Sequence, residues 1–362
     1  MIYTQNEEQN RMFDWEKSYL SFDFVHYGMV LEPRKNTLVL DVGMKTLPGV
    51  IDHHHPQAET ECTASLIAKY PHLVLDHVNK TTLGKESEEP QSLKFITHRL
   101  PDFDAVASIF LALKLIEIEK MDPQMAHIAG YTKMVDSATL PKDIDLTVTP
   151  YSILRALFKS IRKEEKVANL QRIDEGLRFM EFLYSKSEEG YELLENRTLF
   201  AGIGRYEKAI KEAEEDYFDY LADMNRAEKK VLFLPRSDGG GKRETDALIV
   251  RNPRSYLLKD WARRDRDNTD HGEGFGFLMT NFWNRRYILG VDPDKGIYLR
   301  GLGELFNRKE EERRIAEDRP PGFRWYDGNC PFFNYRIVDS PQDGTSLTHK
   351  EIVETIELFG KE

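Results

Sequence analysis

Two short stretches of the chain gather carboxylates and imidazoles at a density that suggests chemistry. The first is Asp41-Val42-Gly43, followed by Val50-Ile51-Asp52-His53-His54-His55-Pro56; the second is Phe95-Ile96-Thr97-His98-Arg99-Leu100-Pro101-Asp102-Phe103-Asp104-Ala105. In each, an apolar run delivers acids and imidazoles to the residues just beyond its end. Such donors suit Mn²⁺ and related cations. A carboxylate can bridge two cations, and a cation pair can clamp the attacking and leaving oxygens of a phosphoryl displacement. The alternate spacing of Asp102 and Asp104 can aim both carboxylates one way while Phe103 packs. Blander readings stand beside this one. A single strand-end His is commonly a hydrogen-bonded surface residue, three consecutive histidines can be a chance zinc contact, and Asp41 could be a turn or N-cap residue. The metal reading gains because these residues end separate strands, which folding alone does not require.

The elements that must position them follow from the pattern. From about residue 36 to 140, short β-rich runs alternate with helical patterns, as in βαβ units with a mostly parallel sheet. Strands are expected at Thr37–Leu40, Val50–Ile51, His72–Leu75 and Leu93–Thr97, and helices at Thr63–Lys69 and Ala105–Lys120. Open α/β sheets bind ligands at the carboxyl ends of their strands, which is where the acids fall. From 151 to 230, Leu154, Leu157, Phe158 and Ile161, then Leu177, Met180 and Leu183, follow helical periodicity. The Glu/Lys runs Lys163–Lys166 and Lys208–Asp216 read as solvated faces. Beyond Val231, the runs Val231–Leu234, Ala247–Val250, Tyr287–Val291 and Gly296–Leu299 read as strands, and Pro320-Pro321 as a break. The expected fold class is therefore α/β. It comprises a parallel-sheet domain over 1–150, a helical connector over 151–230 and a smaller α/β domain over 231–362.

Composition narrows the partners. With 362 residues, 40% hydrophobic and 31% charged, the chain has ample material for two cores. A net charge of −11 argues against a broad grip on duplex DNA. Cys62 and Cys330 cannot form a disulfide framework. Neither a signal-peptide pattern at the first residues nor a run of ~20 apolar residues is evident, so no membrane association and a cytoplasmic location are expected.

The motifs Asp52-His53-His54 and His98-x-x-Pro101-Asp102-x-Asp104-Ala105 resemble the signatures of the DHH phosphoesterase superfamily. Leu38-Val39-Leu40-Asp41 is similar to its bridging-aspartate strand. Cys62-Thr63-Ala64-Ser65-Leu66-Ile67 resembles its small-residue helix, and Tyr131-Thr132-Lys133-Met134-Val135-Asp136 its final aspartate motif. The resemblance covers roughly residues 35–140. The family usually places the His-x-x-Pro-Asp-x-Asp motif first; here the Asp41 and DHH segments precede it, so the order resembles a permutation. What the resemblance implies is a DHH-like catalytic domain with two Mn²⁺ ions, or Mg²⁺ in their place. His98, Asp102 and Asp41 would hold one ion, and Asp104, Asp41, His53 and Asp136 the other. His54 would meet the substrate phosphate as donor or general acid. Arg99 is open to two readings, a phosphate partner or a surface residue. His55 reads as a support rather than a ligand, and Asp76-His77 as structural.

Relatives grip substrate with a second domain that carries a Gly-rich, His-containing loop and an Arg. Arg251, Arg254 and His271, the last followed by Gly272-Glu273-Gly274, resemble that arrangement, although no glycine run precedes the His. An ordinary glycine loop is the other reading. Gly239-Gly240-Gly241-Lys242 is no phosphate-binding Walker loop, because Arg236 and Arg243 stand where Gly and Ser/Thr are required. The aromatic stretch from Phe323 to Tyr335 could stack bases or fill a core. The leading expectation is a manganese-dependent phosphoesterase that hydrolyses a nucleotide or short oligonucleotide through metal-activated water. The alternative is a catalytically idle nucleotide-sensing or adaptor protein on the same fold. A homodimer is compatible with either.

Overall fold

The computed structural model describes residues 19–78, 92–161, 165–194, 197–320, 322–341 and 343–360. The N-terminal octet, part of the Lys163–Lys166 run and Pro321 lie outside the described residues. In chain order the first elements are β1 (Leu20–Val25), β2 (Thr37–Leu40), β3 (Thr46–Leu47), β4 (Val50–Ile51), α1 (Thr63–Lys69), α2 (His72–Leu75) and β5 (Leu93–His98). Then come α3 (Phe103–Ile118), α4 (Pro123–Asp136), α5 (Pro150–Lys159), α6 (Glu165–Glu188) and α7 (Gly204–Met224). The remainder comprises β6 (Glu228–Pro235), β7 (Lys242–Arg251), α8 (Leu258–Arg264), β8 (Phe277–Asn281), β9 (Tyr287–Val291), α9 (Leu302–Ala316), β10 (Ile337–Asp339) and α10 (His349–Phe359). The fold is α/β. The chain divides into two compact units, one of 1–136 with 148–207, the other of 137–147 with 208–362. Helices α5 and α6 fall in the first unit. Among the described residues no helix is long and apolar enough to cross a membrane.

In the first unit the sheet order is β1-β5-β2-β4-β3. β1, β5, β2 and β4 run parallel; only β3 is antiparallel to its neighbour. Four strands running the same way end at one sheet edge, so whatever follows Val25, Leu40, Ile51 and Thr97 is delivered to one place. Val39, Val42, Val50 and Ile96 form a buried cluster under it. Gly43 is required in the Asp41 loop. Its φ is +118°, and a Cβ there would come within 2.6 Å of Val50 Cγ1. Helix α3 is apolar on nearly every side, as a central helix must be, and the Asp102 side chain starts it by accepting from Ala105 N at 3.1 Å.

The second sheet has the order β10-β9-β8-β7-β6 and is mostly antiparallel, with β7 and β8 parallel. Strand alternation sends Ala247 and Ile249 to one face and Leu248 and Val250 to the other. The first pair packs with Leu302 and Phe306 of α9 and Ile352 and Ile356 of α10. The second packs with Tyr220 and Met224 of α7 and Leu258 and Ala262 of α8.

Two expected strands are corrected. His72–Leu75 is the short helix α2, opened by Pro71 at φ −56°; its three apolar residues carry no period that separates strand from helix. Asp76-His77 therefore ends a helix, where His77 Nε2 meets Arg34 O at 2.9 Å. Gly296–Leu299 makes only an isolated bridge, Ile297 to Arg236, because a 3₁₀ turn at Pro293–Lys295 and the left-handed Gly296 turn the chain there. Strands β1, β3, β8 and β10 were not among the expected elements. The aromatic stretch contributes to the core. Trp325 and Phe332 are buried, and Trp325 stacks on Phe306 at 4.3 Å.

Candidate metal centre

The parallel edge brings together residues far apart in sequence. Asp41, just past β2, adopts the left-handed region at φ +61°, which Asp tolerates better than most residues. Its Oδ2 lies 3.2 Å from His98 Nε2, and its Oδ1 lies 3.5 Å from His53 Nδ1 and 3.7 Å from His54 Nδ1. His98 Nε2 is also 3.7 Å from Asp102 Oδ1. His53 is 3.7 Å from Asp104 Oδ2, and its Nε2 is 3.3 Å from Asp136 Oδ2 at the end of α4. Three donor groups result, each with its ligand atoms within 4.8 Å of one another: Asp41/His98/Asp102, His53/Asp104/Asp136, and Asp41/Asp52/His53/His54. All six residues expected to hold metal, together with His54, thus converge.

Other contacts fix the orientation of these side chains. His98 Nδ1 meets Arg99 O at 2.9 Å, which turns Nε2 toward the acids. Asp52 is buried and accepts from Met44 N at 2.6 Å and His54 N at 3.0 Å, while His54 Nδ1 lies 2.7 Å from its Oδ1. Asp104 reaches across to α1, whose N-cap residue Cys62 makes no side-chain cap, and accepts from Thr63 N at 2.8 Å and Ala64 N at 2.9 Å. It thereby satisfies two of that helix's orphan donors. Thr63 Oγ1 donates to Asp41 at 3.2 Å and lies 3.2 Å from His53 Nδ1. His55 bonds Thr46 Oγ1 at 3.0 Å and lies apart from the donor groups.

Burial and crowding disturb the charges. Burial raises the Asp104 carboxyl well above its usual range, and Asp41 and Asp136 add to the effect. Burial also raises Asp41, against the hydrogen bond with His98. The same burial acts on Asp52 and Asp102, but the imidazoles of His54 and His98 outweigh it and hold both acids below the usual carboxylate range. Burial lowers His53, and the charge of His54 reinforces that. It opposes protonation of His54 and His98 too, yet Asp52 lifts His54, and Asp102 with Asp41 pushes His98 up to about 10. Carboxylates and imidazoles that face one another in this way could hold a metal ion, whose charge would offset the crowding.

The remaining expected residues lie elsewhere. Arg99 is partly exposed and pairs with Glu165 at 3.3 Å. In the second unit His271 Nδ1 bonds Asp246 Oδ2 at 2.8 Å and lines a cavity of about 350 Å³ with Arg236, Lys242, Arg243, Glu273 and Lys295. Glu273 bridges Arg243 and Lys295 at 2.8 Å each. Arg251 and Arg254 are not among its lining residues. Their loop is fastened to α7 instead, with Arg254 N donating to Asp223 at 2.8 Å. Sequence reasoning missed Tyr27, whose hydroxyl lies 3.0 Å from His98 Nε2. Its signal was the alternation in Leu20–Val25, which marks a strand ending just before it.

No family model and no curated protein matches the chain. Among solved structures it is similar to a protein described as a DHH-domain member of the S1p family of ribosomal proteins. That likeness has 12% identity and a TM-score of 0.31, over 86% of this chain and 63% of that one. The chain thus spans less than two thirds of the protein it matches. At that identity and score the likeness carries no weight, and the functional reading rests on the site's own geometry.

Proposed function

We propose that the first unit is a metal-dependent phosphoesterase centre of the DHH type, its motif order permuted, acting on a nucleotide or short oligonucleotide. The observation that carries this is Asp41, a single buried carboxylate within 3.5 Å of imidazoles from two separate donor groups, His98 and His53. That is the placement a bridging ligand needs. Two Mn²⁺ ions, or Mg²⁺, held there would supply an activated water and neutralise charge on the phosphate. His98, Asp102 and Asp41 would hold one ion, and His53, Asp104, Asp136 and Asp41 the other. His54 does not hold metal in this reading. Its Nδ1 lies 2.7 Å from Asp52 Oδ1, which orients the ring, and the imidazole is proposed to donate a proton to a phosphate oxygen or to the leaving group.

The second unit is assigned an anion-binding role through His271, Arg243 and Lys295, with Glu273 occupying the cations until an anionic group replaces it. Arg251, Arg254 and Arg99 remain proposed phosphate contacts. The protein is proposed to work in the cytoplasm. The test is hydrolysis of bis-p-nitrophenyl phosphate and short oligonucleotides with Mn²⁺, scored against Asp102→Ala. Manganese-dependent turnover lost in the variant is expected. Turnover equal in both proteins, or absent from both, would overturn the reading.

A further inference from the structure

Tyr27 follows edge strand β1, which runs parallel to β5 and ends at the same sheet edge, with Val25 opposite His98. Its ring stacks on His98 at 4.2 Å between centroids and 22° between planes, and it meets His54 edge-on at 5.8 Å and 63°. The ring therefore lies over the imidazole of the His98 strand and touches, at an edge, one from the Asp52-His53-His54 turn. Tyr27 is nonetheless 37% exposed, and the residues that follow, Met29 at 40% and Val30 at 66%, are exposed apolar side chains. Val30 bridges to Gly43, two residues beyond Asp41, and Leu31 N donates to Gly43 O at 3.3 Å. A polar, buried centre is thus bordered by an aromatic and aliphatic lip tied to its own loop. Packing on His98 does not account for an apolar lip, Tyr27, Met29 and Val30, exposed to water beside a cluster of acids.

We propose that Tyr27 is a specificity-determining residue that stacks on an aromatic ring attached near the substrate's phosphate, so that the site favours base-bearing nucleotides over phosphates without a ring. The inference rests on the phosphate-binding reading of this site and names the substrate feature it selects. Base–aromatic stacking tolerates any base, because each presents a π face, and is worth about ten- to a hundredfold in affinity.

The experiment compares equilibrium binding of AMP and ribose 5-phosphate to the full chain in Mn²⁺ by calorimetry, with metal content measured alongside. These ligands share the phosphate and the sugar and differ in the base. Wild type should bind AMP about ten- to a hundredfold more tightly. Tyr27→Leu should bring the two affinities close together while ribose 5-phosphate binding and manganese content stay the same, and Tyr27→Phe should keep most of the preference. Equal affinities in wild type, including no binding of either, would overturn the inference. So would a Tyr27→Leu protein that loses both ligands in parallel, because that is what a purely structural tyrosine predicts. Hydrolysis of bis-p-nitrophenyl phosphate without an AMP preference sinks only the role of Tyr27; an AMP preference without hydrolysis sinks only the phosphoesterase reading.

Discussion

Each of the two units buries carboxylates, and they treat them in opposite ways. In the second unit, buried Asp216 accepts from Ser255 Oγ at 2.6 Å, Tyr256 N at 2.9 Å, Leu257 N at 3.2 Å and Trp261 Nε1 at 3.1 Å. Buried Glu310 likewise accepts from Ser346 N at 3.0 Å and Trp325 Nε1 at 3.3 Å, with the hydroxyls of Thr345 and Ser346 beside it. Donors surround each acid, and the acid staples a loop to a helix. In the first unit, Asp41, Asp104 and Asp136 face one another across imidazoles. Asp104 takes two helix N–H donors, and still burial, with the charges of Asp41 and Asp136 adding to it, raises its pKa. Buried carboxylates occur in both units, so burial by itself does not mark function. What distinguishes the sites is whether the charge is satisfied within its own fold.

The largest effect that can break this contrast is chemical. His53→Ala should lose at least one metal by elemental analysis and, with it, nearly all turnover. His54→Ala should keep near-wild-type manganese while kcat falls about 10²–10³-fold, the scale for losing a donor to transition-state charge. If the two variants held equal metal, the division of labour inside the Asp52-His53-His54 turn would be wrong.

Next in size is the stapling acid. Asp216→Ala should destabilise the chain by about 2–4 kcal/mol in urea unfolding, since it strands several buried donors. Asp41→Asn, measured with EDTA present, should leave stability unchanged or raise it, because it removes a crowded charge. A loss of similar size in both would erase the distinction between the units.

Metal linkage sharpens the same point. At 100 times its Kd, Mn²⁺ should stabilise wild type by about 2.7 kcal/mol through mass action, read as a rise in Tm. Asp41→Asn should show much less, and an equal rise would place the cation elsewhere.

The smallest effect lies in the second unit. The hydrogen bond to Asp246 raises the pKa of His271 above its usual value. A raised pKa means the pair stabilises the fold fully below the ordinary histidine value of ~6.5, and this contribution fades as pH rises through the higher folded value. An NMR titration of the His271 ring should give that elevated midpoint, and Asp246→Asn should return it toward the ordinary value. No difference between the two proteins would mean that Asp246 leaves the ring's charge untouched.

Much of this was legible before any coordinates. The strand Thr37–Leu40, the helix Thr63–Lys69 and the strand Tyr287–Val291 appear with the bounds their patterns gave. Runs of Val, Ile and Leu, or small residues at helical spacing, leave little choice locally. His72–Leu75 was not legible as a helix, since its three apolar residues fit either period. The edge strand β1 carries a signal in the alternation of Leu20, Phe22 and Phe24 with Ser21 and Asp23, but that Tyr27 meets His98 follows only from the pairing of β1 with β5.

The sequence by itself determined the chemistry on offer: which acids and imidazoles exist, and that several stand at the ends of apolar runs. Only the tertiary structure decided which of them meet. Asp41 and His98 are 57 positions apart and lie 3.2 Å from each other, because β2 and β5 pair in parallel and their ends coincide. It also decided that Asp104 caps α1 while facing His53, and that Arg251 and Arg254 belong to a loop held by α7 rather than to the cavity of His271. Spacing along a chain constrains neighbours within one element. Distance between elements is set by strand pairing and helix packing, which join residues without regard to their separation in sequence.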